Sequence, residues 1–214
     1  MRWRLDNGEL IQPGRFIPLL EEQGKITMLD EYVFTQVCLR QKQRAEQRLP
    51  HVPISVNLSR NSLADSDIVN KYLRILQQTG ADQDSVYLEI TEDSVQNNVQ
   101  EVIQAFCQAG FHMLMDDFGR GNSNLANLRK DMFSGIKLDK SLIDLIGTEE
   151  ENVLYYAILM VRSMGLSIVA EGVEQADQAE YLAHHECQEI QGFYYYRPMP
   201  EDDFDVLLDK LACP

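Results

Sequence analysis

Short apolar, β-branched stretches alternate along this chain with longer ones whose apolar residues recur at helical spacing. Phe16 to Pro50 is expected to be mainly helix, with Ile26, Leu29, Val33 and Val37 roughly at helical spacing. Val52 to Asn57 reads as a strand, and the helix after it carries Ile68, Tyr72, Ile75 and Leu76 on one side. Val86 to Thr91 is the second strand, followed by a helical stripe of Val95, Val99, Val102, Ile103 and Phe106. His112 to Asp117 is the third and leads into a Gly-containing turn and a short helix. Ile136 to Asp139, Ser167 to Glu171 and Glu189 to Tyr194 complete the series, with helices between them. A last helix directs Phe204, Leu207, Leu208 and Leu211 toward the core. Strands alternating with helices imply parallel pairing through helical crossovers, so the fold class is α/β, either an open doubly wound sheet or a (β/α) barrel.

The polar residues favour the barrel. No GxGxxG or GxxxxGK[ST] follows the first strand, so nothing points to a nucleotide-binding open sheet. Each strand ends instead in polar side chains: Asn57; Glu89 and Thr91; Asp116 and Asp117; Lys137 and Asp139; Glu171; and Gln191. A barrel brings those ends to one face, where such folds build their sites. Lys137 apart, the set is oxygen-bearing and rich in carboxylates, which suits Mg²⁺ or Mn²⁺; zinc or copper would call for His or Cys. Adjacent Asp116 and Asp117 cannot both face inward on a regular strand. They can converge where the backbone departs from it, beside Phe118-Gly119-Arg120-Gly121. Such a pair could bridge two cations about 3.5–4 Å apart, the geometry for in-line attack on a phosphodiester. The bland alternative, that Asp116 and Asp117 cap a helix and Glu89 is a solvated strand end, has to recur at six strands to explain the pattern. Lys137 could hold the nucleophile or neutralise phosphate charge, and Glu171 could accept a proton or orient Lys137. His51, His112, His184 and His185 read as structural, and Tyr194-Tyr195-Tyr196 as a strand end packed on loops.

Composition narrows the setting. The 214 residues suffice for one domain with its own core. A net charge of −15 argues against nonspecific DNA or RNA binding and against contact with an anionic membrane. No apolar stretch approaches the ~18 residues of a membrane span. Cys38, Cys107, Cys187 and Cys213 lie far apart and read as reduced thiols of a cytoplasmic protein.

Ser55-Val56-Asn57-Leu58-Ser59, Leu88-Glu89-Ile90-Thr91-Glu92, Asp116-Asp117-Phe118-Gly119, Ile136-Lys137-Leu138-Asp139, Ala170-Glu171-Gly172-Val173-Glu174 and Gln191-Gly192-Phe193 occur in that order. Together they resemble the EAL domain, the bacterial cyclic-di-GMP phosphodiesterase, from Arg2 to about Pro198. The resemblance implies a modified TIM barrel that binds two Mg²⁺ or Mn²⁺ ions and opens cyclic di-GMP to linear pGpG by water attack. On it Asn57, Glu89, Asp116 and Asp117 resemble the metal ligands, and Lys137 and Glu171 the groups around the attacking water. Arg2, Asp139, Glu174 and Gln191 fall at positions that contact the dinucleotide or support the site. Glu92 resembles the anchor of the loop after Asp117, which couples homodimerisation to activity in that family.

Two departures shape the expectation. The Glu-Ala-Leu stretch that names the family, whose Glu is a metal ligand, would lie ahead of Met1-Arg2-Trp3. The whole chain, 1–214, is therefore expected to be an N-terminally truncated EAL-type domain, a barrel lacking its first strand and most of the second, with weak or no turnover. Relatives usually carry Thr-Gly-Tyr-Ser-Ser where this chain has Arg120-Gly121-Asn122-Ser123-Asn124, which sets an arginine beside the metals. The alternative function is a noncatalytic regulator that binds cyclic di-GMP or a protein partner.

Overall fold

The computed structural model describes residues 1–50, 52–95, 99–121 and 128–212. His51, Cys213 and the Asn122-Ser123-Asn124 part of the variant loop lie outside the described residues. The chain opens with a small antiparallel ribbon, β1 (Trp3–Arg4) and β2 (Leu10–Ile11). Helices α1 (Pro13–Glu22) and α2 (Ile26–Glu46) follow. Then come β3 (Ile54–Asn57), α3 (Arg60–Leu63), α4 (Ile68–Thr79), β4 (Val86–Thr91), α5 (Gln100–Gln108) and β5 (His112–Phe118). The second half comprises β6 (Gly135–Leu138), α6 (Lys140–Ile143), α7 (Glu151–Ser163), β7 (Ser167–Glu171), α8 (Ala176–His184), β8 (Glu189–Gln191) and α9 (Glu201–Ala212).

Strands β3 to β8 form one parallel sheet in strictly sequential order. With the usual right-handed crossover, a strand order that never reverses places the connecting helices on the same side of the sheet. A doubly wound sheet, by contrast, reverses its strand order and carries helices on both faces. The sheet is thus a TIM-like half barrel of six strands, as the strand-end pattern implied. Among the described residues, β3 and β8 are each paired on one side only.

The register divides the side chains cleanly. Val56, Leu88, Ile90, Met113, Met115, Ile136, Leu138, Ile168 and Ala170 are buried toward the helices. They meet Phe34 and Cys38 of α2, Tyr72 of α4, Phe106 of α5 and Ile158 of α7 in one core. Its densest part is aromatic: Tyr72 lies 4.3 Å from Phe34 and 5.7 Å from Phe106, ring centre to ring centre. Alternate residues Asn57, Glu89, Asp116, Lys137, Glu171 and Gln191 face the other way, into the concavity.

Three expectations need correcting. The α2 face against the core is Ile26, Asp30, Phe34, Cys38 and Gln41. Leu29, Val33 and Val37 are only half-buried and line a groove beside β3. The helix carries two apolar stripes one residue apart, and the sheet takes the one with Phe34 because its polar members have partners. Gln41 Nε2 donates to Val52 O (2.7 Å) and Ser85 O (2.8 Å), and Arg44 Nε donates to Pro50 O (2.7 Å). The last strand stops at Gln191, short of Tyr194, because Tyr195 and Tyr196 N–H groups both turn back to Gly192 O. In α9 only Leu208 is buried, and Leu211 is exposed. That helix docks through ion pairs of Arg40 with Glu201 and Asp205, and of Arg44 with Asp205 and Asp209.

Tyr72 is fully buried, yet its hydroxyl has no hydrogen-bond partner among the described residues. Burying an unpaired hydroxyl costs about 1–3 kcal/mol. Tyr72→Phe is therefore expected to raise stability by about 1 kcal/mol in urea unfolding; a loss of that size would show that the hydroxyl is satisfied in solution.

Candidate metal and phosphodiester site

Lys137 is the centre of the concave face. It is 4% exposed, on β6, and flanked by carboxylates from three other strands. Its Nζ lies 2.9 Å from Glu89 Oε1, 3.0 Å from Asp116 Oδ1 and 2.6 Å from Glu171 Oε1. Burial alone would pull the ammonium's pKa down. Glu89, Asp116 and Glu171 outweigh that and hold it above the ordinary lysine range. Glu171 moves the other way from a simple ion-paired acid. Burial raises it most, Lys137 opposes, and the nearby charges of Asp116 and Glu89 add to the rise, giving about 7.

Asp116 and Asp117 converge through a β-bulge. Met115 pairs with Ile136 and Phe118 with Leu138, so two residues of β5 stand opposite Lys137 alone. Asp117 takes up the extra length in the left-handed region, at φ +58°, a conformation Asp tolerates better than most residues. The strand therefore continues through Phe118, where the sequence suggested a departure from it. Carboxylate oxygens of Asp116, Asp117 and Glu171 all lie within 4.8 Å of one another, an all-oxygen donor set that fits a hard divalent cation. Burial raises the Asp117 pKa, the Asp116 charge adds to it, and Arg120 opposes.

Asn57 stands directly across from Glu89 in the β3–β4 register and is exposed because β3 is an edge strand. Glu92 is buried at the exit of β4 and lines a recess with Thr91, Asp93, Asp117 and Arg120. Asp139 caps α6, its Oδ1 accepting from Ser141 N–H at 2.9 Å. Glu174 is exposed beyond β7, with Oε2 3.4 Å from Lys140 Nζ. Gln191 pairs with Glu171 in register and lines the concavity with Glu89 and Lys137. Arg2 is not joined to this group; its guanidinium donates to Met1 O at 2.7 Å on the N-terminal ribbon. Tyr194, Tyr195 and Tyr196 are half-exposed at the same rim, where Tyr194 N–H donates to Val173 O at 3.0 Å. Gly192 permits that approach, since a Cβ there would lie 2.0 Å from Val173 O.

Sequence reasoning missed Asp30. Buried on α2, it accepts from Ser59 N–H (2.9 Å) and Ser62 Oγ (2.7 Å) and so holds the turn that follows Asn57. Burial lifts its pKa, and those hydrogen bonds pull against the rise. The signal was present as an acid at i+4 between Ile26 and Phe34 on a core-facing stripe.

The model of the EAL domain family matches residues 1–198. The chain belongs to the EAL domain family. This EAL domain is 31% identical over 205 residues to the cyclic di-GMP phosphodiesterase NbdA of Pseudomonas aeruginosa, and 34% identical over 208 residues to the oxygen sensor protein DosP of Escherichia coli. Each alignment covers 94% of the chain but 26% of the relative, so the chain spans about a quarter of the length of these relatives. Among solved structures, the cyclic di-GMP complex of the PaMucR phosphodiesterase superposes with a TM-score of 0.86 at 29% identity, over 95% of this chain and 84% of that one. The EAL domain of Mycobacterium smegmatis DcpA gives 0.80 at 26% identity, over 88% and 87%. No helix among the described residues is long and apolar enough to cross a membrane.

The raised Glu171 pKa fixes the sign of a stability change. A carboxyl that holds its proton more tightly when folded contributes stability below its ordinary pKa of 4.5, and that contribution is lost as pH rises through about 7. In chelator-treated protein, the unfolding free energy is expected to fall between pH 4.5 and 7, and Glu171→Gln to flatten the slope. An unchanged slope in the variant would place the responsible group elsewhere.

Proposed function

We propose that this EAL domain hydrolyses cyclic di-GMP to linear pGpG with Mg²⁺ or Mn²⁺. The observation that carries the reading is the convergence of Glu89, Asp116, Asp117 and Glu171 around Lys137 on the concave face, in a chain 31% identical to a cyclic di-GMP phosphodiesterase. Asp116 and Asp117 would hold the cations, with Glu89 and Asn57 adding oxygen donors from the adjacent strands. Bound there, divalent cations supply charge neutralisation for the phosphodiester and acidify water.

The remaining roles belong to the chain's own groups. Lys137 Nζ occupies Glu171 Oε1, which leaves Oε2 to take the proton of the attacking water. A carboxyl near 7 is poised for that transfer at neutral pH. The Lys137 ammonium also offsets negative charge that builds on the phosphoryl oxygens. Asp139 Oδ2, Glu174 and Gln191 would accept from guanine N–H donors at the rim, and Arg2 would have to reach the dinucleotide from the N-terminal ribbon, where it donates to Met1 O. Glu92 anchors the turn that carries Asp117 and Arg120. Val153, Tyr156 and Leu159 form an exposed apolar ridge on α7 suited to a second copy in a homodimer. Free Cys38, Cys107 and Cys187 agree with a cytoplasmic setting.

A noncatalytic receptor is the second reading, favoured by the exposed position of Asn57 on an edge strand, where one side of the donor set lacks a neighbouring strand among the described residues. Product analysis separates the two. With Mn²⁺ the phosphodiesterase converts cyclic di-GMP to pGpG, whereas the receptor binds the dinucleotide and returns it intact.

Asp116→Asn is expected to lower Mn²⁺-dependent turnover by about 10²-fold or more, because it removes charge shared by the cation sites. Glu171→Gln is expected to cost about 10²–10⁴-fold in kcat with little change in dinucleotide affinity. Unchanged turnover in Asp116→Asn would overturn the site.

A further inference from the structure

Arg120 has no part in the roles above, and it sits where a mobile positive charge matters most. Its Nη1 is 3.3 Å from Asp117 Oδ2, and its side chain is 68% exposed. Together with Thr91, Glu92, Asp93 and Asp117 it lines a recess of about 370 Å³ at the rim. The backbone aims it there. Gly119 takes φ +97° with no room for a side chain, since a Cβ would lie 2.4 Å from Leu142 Cδ1. Arg120 N–H then donates back to Asp117 O at 3.1 Å, closing a tight turn over the bulge. The other two cations near the cluster are more firmly held. Lys137 is bonded to three carboxylates, and Lys140 Nζ lies between Asp144 Oδ1 (2.8 Å) and Glu174 Oε2 (3.4 Å). Among the described residues Arg120 has one ion-pair partner, the part-buried Asp117, and its own side chain is largely exposed, so it is the rim cation with least to lose by moving.

We propose that Arg120 changes partner during the cycle. In the metal-free site it pairs with Asp117; when a divalent cation takes that carboxylate, the guanidinium moves onto a non-bridging oxygen of the substrate phosphodiester. The inference rests on the phosphodiesterase reading. Its logic is electrostatic. A divalent ion on Asp117 repels the guanidinium from its old partner, and an anionic dinucleotide approaching a carboxylate-rich rim needs compensating charge. The planar fork of Arg matches phosphate oxygens as a single ammonium does not. Two opposed consequences follow. Arg120 competes with metal for Asp117, and it adds to dinucleotide affinity.

Titration calorimetry on this chain reads both. With Ca²⁺ present to slow hydrolysis, Arg120→Ala is expected to weaken cyclic di-GMP binding about tenfold, and Arg120→Lys to recover only part of that loss. With Mn²⁺ alone, Arg120→Ala is expected to bind the ion about threefold more tightly, since Asp117 loses its competitor. The side chain is exposed, so melting temperature should match wild type and confirm that the variants fold. Dinucleotide affinity in Arg120→Ala within twofold of wild type overturns the phosphate role, and unchanged Mn²⁺ affinity overturns the competition. A wild-type protein that binds no cyclic di-GMP overturns the phosphodiesterase reading and the phosphate role with it; the Mn²⁺ comparison then still decides the Asp117 pairing.

Discussion

One buried ammonium governs the concave face. Lys137 lies within 3.0 Å of carboxylates from three neighbouring strands, so β4, β5, β6 and β7 must all keep register for its charge to be met. A lysine buried without such partners would lose its proton, and three clustered carboxylates without a cation would repel one another. Each side of the arrangement requires the other. The account does not balance, however: one positive charge faces Glu89, Asp116 and Glu171, and Asp117 stands beside them. Burial and that negative excess together explain how Lys137 can be held strongly basic while Glu171, in contact with it, is pushed up to about 7. It is also the property that makes the place attractive to divalent cations.

The excess persists because the opposite side of the sheet cannot relax. Residues alternating with the polar set are the buried Leu88, Met115, Ile136, Leu138 and Ala170, so a strand that slid by one position would exchange a carboxylate for core. The bulge at Asp116–Asp117 shows the same linkage on a smaller scale. A non-glycine residue at φ +58° costs about 1–3 kcal/mol and persists only where its surroundings over-determine it. Here Phe118 is buried on the core side in register with Leu138, and Phe118 O accepts from Asp139 N–H at 3.0 Å. Apolar packing behind the sheet thus sustains the strain in front of it that places two adjacent carboxylates together.

What could be read from the sequence follows from these constraints. The strand ends were legible because the pleat has a period of two, so an apolar strand that ends in an inward polar residue declares its face. The need for a break at Asp116–Asp117 was legible from the same alternation; its form was not, because a bulge depends on the register of β6. The core face of α2 was illegible for a different reason. Ile26, Leu29, Val33 and Val37 form as good a stripe as Ile26, Phe34 and Cys38, and only partners far along the chain decide between them. Ser59 and Ser62 for Asp30, and Val52 and Ser85 for Gln41, make the polar members of the second stripe the better ones to bury.

The same accounting explains where the half barrel is open. The C-terminal helix α9 lies at the β3 side, joined to α2 by Arg40 and Arg44, and lines a recess with Val52 and Ile54. It covers the N-terminal end of the edge strand and leaves the C-terminal end, with Asn57, exposed beside the groove of Leu29, Val33 and Val37. At the covered end the carboxylates Glu201, Asp205 and Asp209 are already paired with Arg40 and Arg44. At the other end lie the polar strand ends, from Asn57 on β3 to Gln191 on β8. An ionic ligand at that rim would meet Glu89 and Lys137 already desolvated by the core behind them, so those two groups would need little reorganisation in front. The division of labour between the two ends is therefore set by packing, before any ligand arrives.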